Sequence, residues 1–366
     1  MKSIPDMTII GGGVIGMLTA REFINAGASV MIIEKNQVGQ ESSWAGGGIL
    51  LPLYPWRQAE AITRLALQSL KLYPKLAEAL HVDTGIDPEW LPCGMLMTQN
   101  PDIDAAIHWC QSNRITFASA ESERLDGLHT QALNPLWLPD IAQARNPRLI
   151  KSLTQDLLNK QVQIVEQCEL TAFKIDNQRI THLCSTQQTY PVSQVIVASG
   201  AWTAGLLAQF LPRLETPAPD ISPIKGQMVL FDAEPGFLNM MVLDGDRYLI
   251  PRKDGKILVG STVEQDAFNK TTTPTAKAQL SAFALELLPA LAQYPLIKHW
   301  AGLRPGTQQG IPYIDCHPEI SNLSINAGHF RNGLVMGPAS AELLVDILLK
   351  RPPKIDPKPY QLSSPH

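Results

Sequence analysis

The sequence of 366 residues is poor in charge. Only 17% of its residues are Asp, Glu, Lys or Arg, and its net charge of -4 is spread without a basic stripe. Binding to a nucleic acid or to an anionic membrane surface is therefore not expected. The apolar stretches are short and interrupted, which argues against an integral membrane segment. Because the first predicted strand follows closely on Met1, we expect no secretory signal and a cytoplasmic location.

Cysteine and histidine are few and scattered. The five cysteines form no C-x-x-C pair, and the eight histidines form no H-x-x-x-H pair. Zinc sites and dithiol centres use such closely spaced ligands. We therefore predict no metal site and interpret the cysteines as buried thiols. They are Cys93, Cys110, Cys168, Cys184 and Cys316.

A strand, a glycine-rich turn and a helix are predicted near the start of the chain. The apolar run Met7–Ile10 leads into Gly11-Gly12-Gly13-Val14-Ile15-Gly16 and a helical stretch. In such a turn Gly11 permits a tight bend, Gly13 lets the backbone approach a pyrophosphate, and Gly16 allows close packing of helix and strand. The start of the helix can then receive phosphates. We predict a dinucleotide site, and the alternative is an ordinary turn.

An acidic residue ends the next predicted strand. This strand is predicted at residues 29–33, and Glu34 follows it, 18 residues after Gly16. A carboxylate at this position would hydrogen-bond a ribose diol and repel a 2′-phosphate. The motif by itself does not distinguish FAD from NAD.

Three more glycine-rich stretches favour FAD. One is Gln40-Glu41-Ser42-Ser43-Trp44-Ala45-Gly46-Gly47-Gly48. The predicted strand 195–198 leads into Ser199-Gly200-Ala201-Trp202, and the strand Leu323–Ala327 leads into Gly328 and a helix predicted at 339–350. Glycine turns at distant strand ends suit a large cofactor lying across a whole sheet. A nicotinamide enzyme is the less favoured alternative.

Six segments carry a family resemblance. They are Gly11 to Gly16, Val197-Ala198-Ser199-Gly200-Ala201-Trp202, Tyr248-Leu249-Ile250-Pro251-Arg252, Val259-Gly260-Ser261-Thr262, Gly302-Leu303-Arg304-Pro305 and Gly328-His329-Phe330-Arg331-Asn332-Gly333. In this order they resemble the glycine oxidase branch of the D-amino-acid oxidase superfamily, over nearly the full length.

The resemblance implies an α/β fold with two domains. A discontinuous Rossmann-like FAD-binding domain is expected at 1–85, 145–218 and 302–366, and an α+β substrate domain with a large mixed sheet at 86–144 and 219–301. The sequence agrees, because the extended runs 228–231, Arg247–Pro251 and 256–259 are separated by turn residues. Helices are predicted at 56–80, with a break at Pro74, and at 274–293. The proline-rich tail 352–366 is expected to be poorly ordered.

The resemblance implies three catalytic residues. Arg304 would hold a substrate carboxylate, for which the planar guanidinium fork is suited, and the alternative is a buried ion pair. Tyr248 would hydrogen-bond the same carboxylate, or else pack in the core. Arg331 lies in the loop placed beside the flavin ring, where functional and structural roles are equally open. We interpret Lys225 as structural, and we expect N–H groups at a helix start near Pro338 to stabilise negative charge on the cofactor.

The FAD contacts implied by the resemblance come from several segments of the chain. They are Gly11, Gly13, Val14, Ile15, Gly16, Glu34, Lys35, Ser42, Ser43, Ala45, Gly46, Gly47, Leu170, Ser199, Gly200, Trp202, Arg304, His329, Arg331, Asn332, Gly333 and Leu334. Trp44 and Trp202 are equally compatible with ordinary packing. Some relatives attach the flavin to a cysteine after the conserved arginine and proline, but residues 306–313 contain none. The predicted FAD is therefore noncovalent.

The stretch 49–56, Ile-Leu-Leu-Pro-Leu-Tyr-Pro-Trp, is bulkier than the family leads us to expect. If it lines the pocket, it reshapes the space for the substrate side chain. The alternative is that Leu53, Tyr54 and Trp56 make an interdomain hydrophobic contact.

The predicted activity is FAD-dependent oxidative deamination of a small amino acid: glycine, sarcosine or a D-amino acid. A hydride leaves the α-carbon for flavin, and O2 is the final acceptor, giving H2O2. The resemblance also suggests a role in forming the thiazole of thiamine. The alternatives are an FAD-dependent dehydrogenase that passes electrons to a quinone or carrier, and a non-catalytic flavin-binding protein. A homo-oligomer is compatible with the sequence.

Overall fold

The computed structural model describes residues 3–366, and eight α-helices occur in this range. They are α1 Val14–Asn25, α2 Glu41–Ala45, α3 Glu60–Thr84, α4 Ile103–Asn113, α5 Asn146–Asn159, α6 Thr203–Phe210, α7 Pro274–Leu287 and α8 Gly333–Leu348. None of the described helices is long and apolar enough to cross a membrane.

Nineteen strands lie in the same range. They are β1 Met7–Ile10, β2 Val30–Ile33, β3 Leu91–Pro92, β4 Met95–Met97, β5 Ala118–Ser119, β6 Leu136–Leu138, β7 Ala142–Gln143, β8 Gln163–Val165, β9 Leu170–Asp176, β10 Arg179–Ser185, β11 Thr189–Pro191, β12 Gln194–Val197, β13 Ser222–Phe231, β14 Met241–Asp244, β15 Arg247–Pro251, β16 Ile257–Gly260, β17 Leu296–Gly306, β18 Tyr313–Cys316 and β19 Leu323–Ala327.

The first large sheet has six strands in the order β18-β19-β12-β1-β2-β8. Neighbouring strands are parallel except for the edge pair β18 and β19. Successive side chains of a strand point to opposite faces. Ile9 therefore packs against α1, α3 and α8, whereas Ile10 packs against β10 and α6 on the other face. Burial on both faces explains the continuous apolar strands of the sequence.

The second large sheet has eight strands in the order β17-β13-β16-β15-β14-β4-β6-β5. It is mixed, because β14 pairs with β4 in parallel while the other pairings are antiparallel. The expected α/β fold with a large mixed sheet is thus confirmed. The strand β17 runs without interruption across the predicted domain boundary between residues 301 and 302.

Two predicted helix boundaries were wrong because of how α3 and α8 pack. Pro74 does not break α3, and α8 begins at Gly333 and includes Pro338. A proline inside a helix leaves the carbonyl four residues earlier without its usual donor. For Pro338 this carbonyl belongs to Leu334, and it accepts a hydrogen bond of 2.6 Å from Tyr73 Oη of α3. The neighbouring contact between the two helices therefore replaces the missing bond.

Other expectations also need correction. The predicted helix 274–293 ends at Leu287, and a 3-10 turn begins after it at Pro289. The predicted helix from residue 56 begins at Glu60. The tail is ordered by its contacts, since buried Tyr360 donates to Ala61 O at 2.7 Å and His366 stacks on Tyr313 with ring centroids 3.6 Å apart.

The cysteines are free thiols, as predicted, but they are not uniformly buried. Cys110 and Cys168 are buried, Cys93 and Cys184 are half-buried, and Cys316 is exposed. Within residues 3–366 there is no group of three or more potential metal-ligating His, Cys, Asp or Glu side chains.

Candidate active site

A cavity of about 590 Å³ lies between the two large sheets. Its floor is formed where β1, β2, β12 and β19 end, because the residues that follow these strands line it. Ligands of parallel α/β sheets bind at the carboxyl ends of strands. Its roof comes from the second sheet, through Met228, Tyr248, Ser261 and Arg304. The cavity is therefore enclosed by segments that are distant in the sequence.

The first glycine turn builds one end of the cavity. Gly11 has a φ of +111°, and a Cβ there would lie 2.5 Å from Ala198 O, so both the bend and the close approach to the neighbouring strand end favour glycine. Gly13 lies at the wall, where an added Cβ would meet Ser43 Oγ at 3.1 Å. Ser43 Oγ accepts the N–H of Val14 at the start of α1. This leaves a smooth backbone surface next to a helix N-terminus, as a pyrophosphate requires.

The carboxylate of Glu34 is held at the same end. It accepts hydrogen bonds from the N–H groups of Gly12 at 2.8 Å and Asn36 at 2.9 Å. Both donors are backbone groups, so the carboxylate is fixed in direction and its remaining lone pairs can accept from a ribose diol. Lys35 and Leu170 line the cavity beside it.

The middle of the cavity is lined by the loop after β12. Ser199, Gly200 and Trp202 all face it. The ring of Trp202 packs at 5.4 Å from that of Phe268, which comes from the connection between β16 and α7. Trp202 thus contributes both to the lining and to a packing contact between the floor and the roof.

A hydrogen-bonded chain fixes the buried side chain of His329. Asn326 Nδ2 donates to Thr19 Oγ1 at 3.2 Å, Ser340 Oγ donates to Asn326 Oδ1 at 2.6 Å, and His329 Nε2 lies 2.8 Å from Ser340 Oγ. Burial lowers the pKa of His329 to about 3, so its ring is neutral. Since the Ser340 proton is directed to Asn326, Nε2 carries the ring proton. Nδ1 is then a buried acceptor with no partner in the described chain.

Asn146, the first residue of α5, presents another unused acceptor at the cavity wall. Its Nδ2 donates to Ser43 O at 2.8 Å, which orients the amide. Its Oδ1 is buried and has no hydrogen-bond partner in the described chain. Gly48 approaches so closely that a Cβ there would lie 2.9 Å from this oxygen. A buried amide oxygen without a donor is costly, so this atom indicates a ligand that supplies one.

Arg304 is a half-buried cation at the roof. Its Nη1 donates to Thr262 O at 3.1 Å and Lys225 O at 3.4 Å, and its Nη2 donates to Ser261 Oγ at 2.7 Å. None of these acceptors is charged, and no described acidic side chain forms an ion pair with it. Burial lowers the pKa of Arg304 below that of an ordinary guanidinium. Buried charges are normally paired, so the site favours an anionic ligand.

Glycines shape the space around Arg304 and Tyr248. A Cβ at Gly226 would lie 2.2 Å from a guanidinium nitrogen of Arg304, and a Cβ at Gly260 would lie 2.6 Å from the Tyr248 ring. The Tyr248 side chain is 6% exposed and lines the cavity. Its hydroxyl is close enough to raise the pKa of Arg304 slightly against the effect of burial. One hydroxyl and one guanidinium therefore share this end of the cavity.

Arg331 supplies a second positive charge. It lies in the 3-10 turn before α8, is exposed, and lines the cavity. It lowers the pKa of Arg304 by repulsion, after the larger effect of burial. At the start of α8, Gly333 and Leu334 line the cavity, and no side chain caps this helix. The positive helix end that was expected near Pro338 is thus five residues earlier.

The stretch 49–56 forms an apolar wall of the cavity. This agrees with the interpretation that the stretch lines the pocket. Ile49, Leu51 and Leu53 line the cavity. Tyr54 and Trp56 do not line it: Tyr54 Oη donates to Gly245 O at 3.0 Å, and Trp56 Nε1 donates to Asp102 Oδ2 at 2.8 Å. Tyr54 also belongs to an apolar cluster of the second sheet, and Trp56 packs against this cluster. The hydrophobic contact thus applies to Tyr54 and Trp56, whereas Leu53 lines the cavity as well.

The structure brings most of the sequence-predicted site residues into this one cavity. Those that line it are Gly11, Gly13, Val14, Ile15, Glu34, Lys35, Ser42, Ser43, Gly46, Gly47, Leu170, Ser199, Gly200, Trp202, Tyr248, Arg304, His329, Arg331, Asn332, Gly333 and Leu334. Gly16 and Ala45 lie outside the lining. Gly16 has a packing role, since its Cβ would be 2.0 Å from Gly11 O.

Several lining residues were not identified from the sequence. Asn146, Gln58, Phe268 and Lys270 lie outside every glycine motif, and each reaches the cavity only through tertiary packing. Trp44 packs away from the lining against Trp300, with ring centroids 5.6 Å apart. For Asn146 the one available signal was its position before Pro147, where a helix starts.

These features fit a long dinucleotide with a polar ring system. The glycine turn and Glu34 suit the adenosine and pyrophosphate, and the uncapped start of α8 suits a group that carries negative charge. The unpaired Oδ1 of Asn146 suits an N–H donor. The cavity then continues to Arg304 and Tyr248, which leaves room for a second, anionic ligand.

Comparison with known proteins agrees with this fit. The sequence is 42% identical over 360 residues to a glycine oxidase of Pseudomonas putida, and the match covers 97% of each chain. It is 41% identical over 359 residues to a glycine oxidase of Pseudomonas aeruginosa, again with 97% of each covered. The fold matches the crystal structure of glycine oxidase from Geobacillus kaustophilus with a TM-score of 0.90, 28% identity and 98% of each chain covered.

The sequence model of the DAO family, described as FAD dependent oxidoreductase, matches residues 6–347. This range contains the glycine turn, Asn146, Arg304 and the start of α8. The chain therefore belongs to the DAO family of FAD-dependent oxidoreductases.

Proposed function

We propose that this protein oxidises glycine, or a similarly small amino acid, with O2 as the electron acceptor. The single observation that carries the substrate class is Arg304, a half-buried guanidinium that lies in the cavity wall without a described acidic partner. An amino acid brings the missing carboxylate. The 42% identity to a glycine oxidase favours glycine as the first substrate to test.

Arg304 and Tyr248 hold the substrate in this proposal. The guanidinium is already anchored by Thr262, Lys225 and Ser261, so its remaining N–H groups point in a fixed direction. Charge-assisted hydrogen bonds of this kind fix both position and orientation. Tyr248 adds a neutral donor at the same end. Fixing the carboxylate leaves the α-carbon little freedom, which is the main requirement for a transfer that needs correct alignment.

FAD, when bound, accepts the hydride from the α-carbon and passes the electrons to oxygen. The chain contributes the surroundings of this step. Glu34 and the glycine turn would hold the adenosine end, and Asn146 Oδ1, which has no partner in the described chain, would accept an N–H of the ring. Arg331 and the start of α8 favour negative charge next to the ring. We propose noncovalent binding, because residues 306–313 contain no cysteine.

The substrate amine must be neutral when its α-hydrogen leaves, since a positive charge on nitrogen opposes hydride loss. His329 is neutral and is tied to Ser340, so it does not act as a mobile base. The proposal is that the amine loses its proton to solvent before or during binding. It follows that kcat/KM for glycine rises with pH.

The apolar wall of Ile49, Leu51 and Leu53 limits the substrate side chain. It accepts hydrogen or a small aliphatic group and offers nothing to pair with a charged one. Sarcosine and small D-amino acids are therefore proposed as secondary substrates. Because glycine oxidation gives an imine, we also propose that this product can supply a thiazole-forming reaction in thiamine synthesis.

The test is an anaerobic titration of the purified yellow protein with glycine, sarcosine and D-amino acids, followed by admission of air. Bleaching of the flavin absorption that air rapidly reverses, with one H2O2 formed per turnover, supports the proposed oxidase. Bleaching that needs a quinone for rapid reversal supports a dehydrogenase instead. No bleaching by any amino acid would overturn the proposed substrate class.

A further inference from the structure

The connection between β16 and α7 carries a compact polar cluster behind Arg304. We call it the Glu264 cluster, and it consists of Lys225, Gln227, Thr262, Glu264 and Asp266. Lys225 and Gln227 belong to β13 and are 1% and 0% exposed. The other three belong to the connection itself. Among the described acidic side chains, Glu264 and Asp266 are the ones that contact buried Lys225.

Glu264 is the common acceptor of this cluster. Its Oε1 accepts from Thr262 Oγ1 at 2.5 Å and from Gln227 Nε2 at 2.8 Å, and its Oε2 lies 3.4 Å from Lys225 Nζ. Asp266 has a narrower role, with contacts to Lys225 Nζ at 3.0 Å and to Asn269 Nδ2 at 2.9 Å. Glu264 alone therefore joins the lysine to Thr262.

Backbone hydrogen bonds also join residues 262–264 to Lys225 and Gln227 of β13. The N–H of Glu264 donates to Lys225 O at 2.9 Å, and the N–H of Lys225 donates to Glu264 O at 2.9 Å. Thr262 N donates to Gln227 O at 3.2 Å, while Gln227 N donates to Thr262 Oγ1 at 2.9 Å. The connection is thus held to β13 as if it were an additional short strand.

Two carbonyl groups of this cluster hold the guanidinium of Arg304. Thr262 O and Lys225 O both accept from its Nη1, at 3.1 Å and 3.4 Å. The positions of these oxygens depend on the contacts that Glu264 makes on either side of them. Arg304 does not touch the Glu264 side chain directly, so any effect of this carboxylate on ligand binding passes through the two carbonyls and through charge.

The charges of the cluster pair with one another, so the guanidinium of Arg304 keeps its charge for a ligand. Lys225 is neutralised by Glu264 and Asp266, whereas Arg304 faces only neutral oxygens. Hydrogen bonds from Thr262, Gln227 and Lys225 outweigh the effect of burial and lower the pKa of Glu264, so it is ionised at neutral pH. Without the Glu264 charge, the positive charge of Lys225 would be less compensated near the guanidinium, and the carbonyls would lose their support.

We propose that Glu264 is a positioning residue for Arg304: it fixes the two carbonyls that aim the guanidinium and thereby sets the affinity for the substrate carboxylate. This inference rests on the proposed function, in which Arg304 binds that carboxylate. Glu264 itself touches neither substrate nor cofactor.

The test compares Glu264→Gln with Asp266→Asn as a matched control. Each substitution removes one negative charge next to Lys225, but only the first alters an acceptor of Thr262. The amide introduced by Glu264→Gln would have one oxygen in place of the two that serve Thr262, Gln227 and Lys225. The probe is glycolate, which has the carboxylate and no amine, and its Kd is read from perturbation of the flavin absorption. We expect Glu264→Gln to raise the Kd of glycolate and the KM of glycine about tenfold, with kcat within about twofold and FAD affinity unchanged. Asp266→Asn should change both constants by less than about threefold.

A double-mutant cycle separates positioning from general loosening of the fold. In an Arg304→Lys background the carbonyl pair no longer aims a guanidinium, so Glu264→Gln should change the glycolate Kd by less than about twofold. If Glu264→Gln does not fold, Thr262→Val removes the Thr262–Glu264 hydrogen bond and keeps the carbonyl; it should raise the Kd about threefold.

An unchanged Kd in Glu264→Gln, or an equal effect in both backgrounds, would overturn the positioning role. Arg304→Ala distinguishes this from failure of the proposed function. If Arg304→Ala also leaves the glycolate Kd unchanged, the carboxylate site itself is wrong. If it raises the Kd while Glu264→Gln does not, only the role of Glu264 is wrong.

Discussion

Replacing Arg304 by alanine tests the centre of the proposed site. The substitution removes the guanidinium that would bind the substrate carboxylate, together with its bonds to Thr262, Lys225 and Ser261. A hydrogen bond to a charged group contributes roughly 1.5 to 3 kcal/mol, and two such bonds to a carboxylate give about 3 to 4 kcal/mol when they are not fully independent. Since 1.4 kcal/mol corresponds to about a factor of ten, KM should rise by about two to three orders of magnitude.

The cofactor should be unaffected by this substitution. The adenosine end of the cavity depends on Glu34 and the glycine turn, so Arg304→Ala should retain FAD and the visible spectrum. The measurement is steady-state oxidation of glycine, with the spectrum and Tm as controls. Arg304→Lys is the matched variant, because it keeps the positive charge but lacks the planar guanidinium fork. Its KM for glycine should lie between those of the parent and of Arg304→Ala. A KM equal to that of the parent in Arg304→Ala would refute the assignment.

Three further predictions test other parts of the site. Asn146→Ala removes the unpaired buried acceptor at the cavity wall and should raise the Kd for FAD about tenfold, measured by titrating apoprotein; an unchanged Kd would show that Oδ1 does not contact the cofactor. Gly226→Ala places a Cβ 2.2 Å from the Arg304 guanidinium, so it should weaken glycolate binding at least as much as Arg304→Lys while FAD is retained; normal binding would contradict the packing. His329 has a pKa of about 3 in the folded protein, below its ordinary value of 6.5. Unfolding therefore takes up a proton below about pH 6.5, and stability should fall by up to about 2 kcal/mol between pH 6.5 and 5 because of this residue. The Tm of His329→Asn should depend less steeply on pH over that range, and an equal slope in both proteins would contradict the burial argument.

Much of the fold was predictable because short motifs determine local structure. The glycine turn after β1, the acidic end of β2 and the apolar strands β12 and β19 each carry a local signal, and all four strand ends meet at one cavity. The large mixed sheet was implied by the family resemblance, and the separate extended runs of the sequence agreed with it. The family resemblance also implied that Tyr248, Arg304 and Arg331 share one site, and all three line the cavity.

Tertiary contacts explain what the sequence did not reveal. Pro74 and Pro338 signal helix ends, yet both lie inside helices, and the carbonyl freed by Pro338 is satisfied by Tyr73 from another helix. The composition of the tail predicted poor order, but contacts of Tyr360 and His366 fix it. Asn146 has no motif, because its importance comes from an oxygen left unpaired by packing.

The strand β17 has a consequence for how substrate reaches the site. It pairs with β13 from Leu296 opposite Phe231 to Gly306 opposite Ser222, and Arg304 lies within this ladder. Both strands belong to the roof, so a hinge opening between roof and floor would leave this ladder intact and would carry the carboxylate anchor away from the floor. Exchange of substrate and product is cheaper through side chains at the rim, where Phe268 rests on Trp202 and Lys270 pairs with Glu41. We therefore expect substrate and product to exchange through small local movements of these side chains while the binding geometry stays rigid.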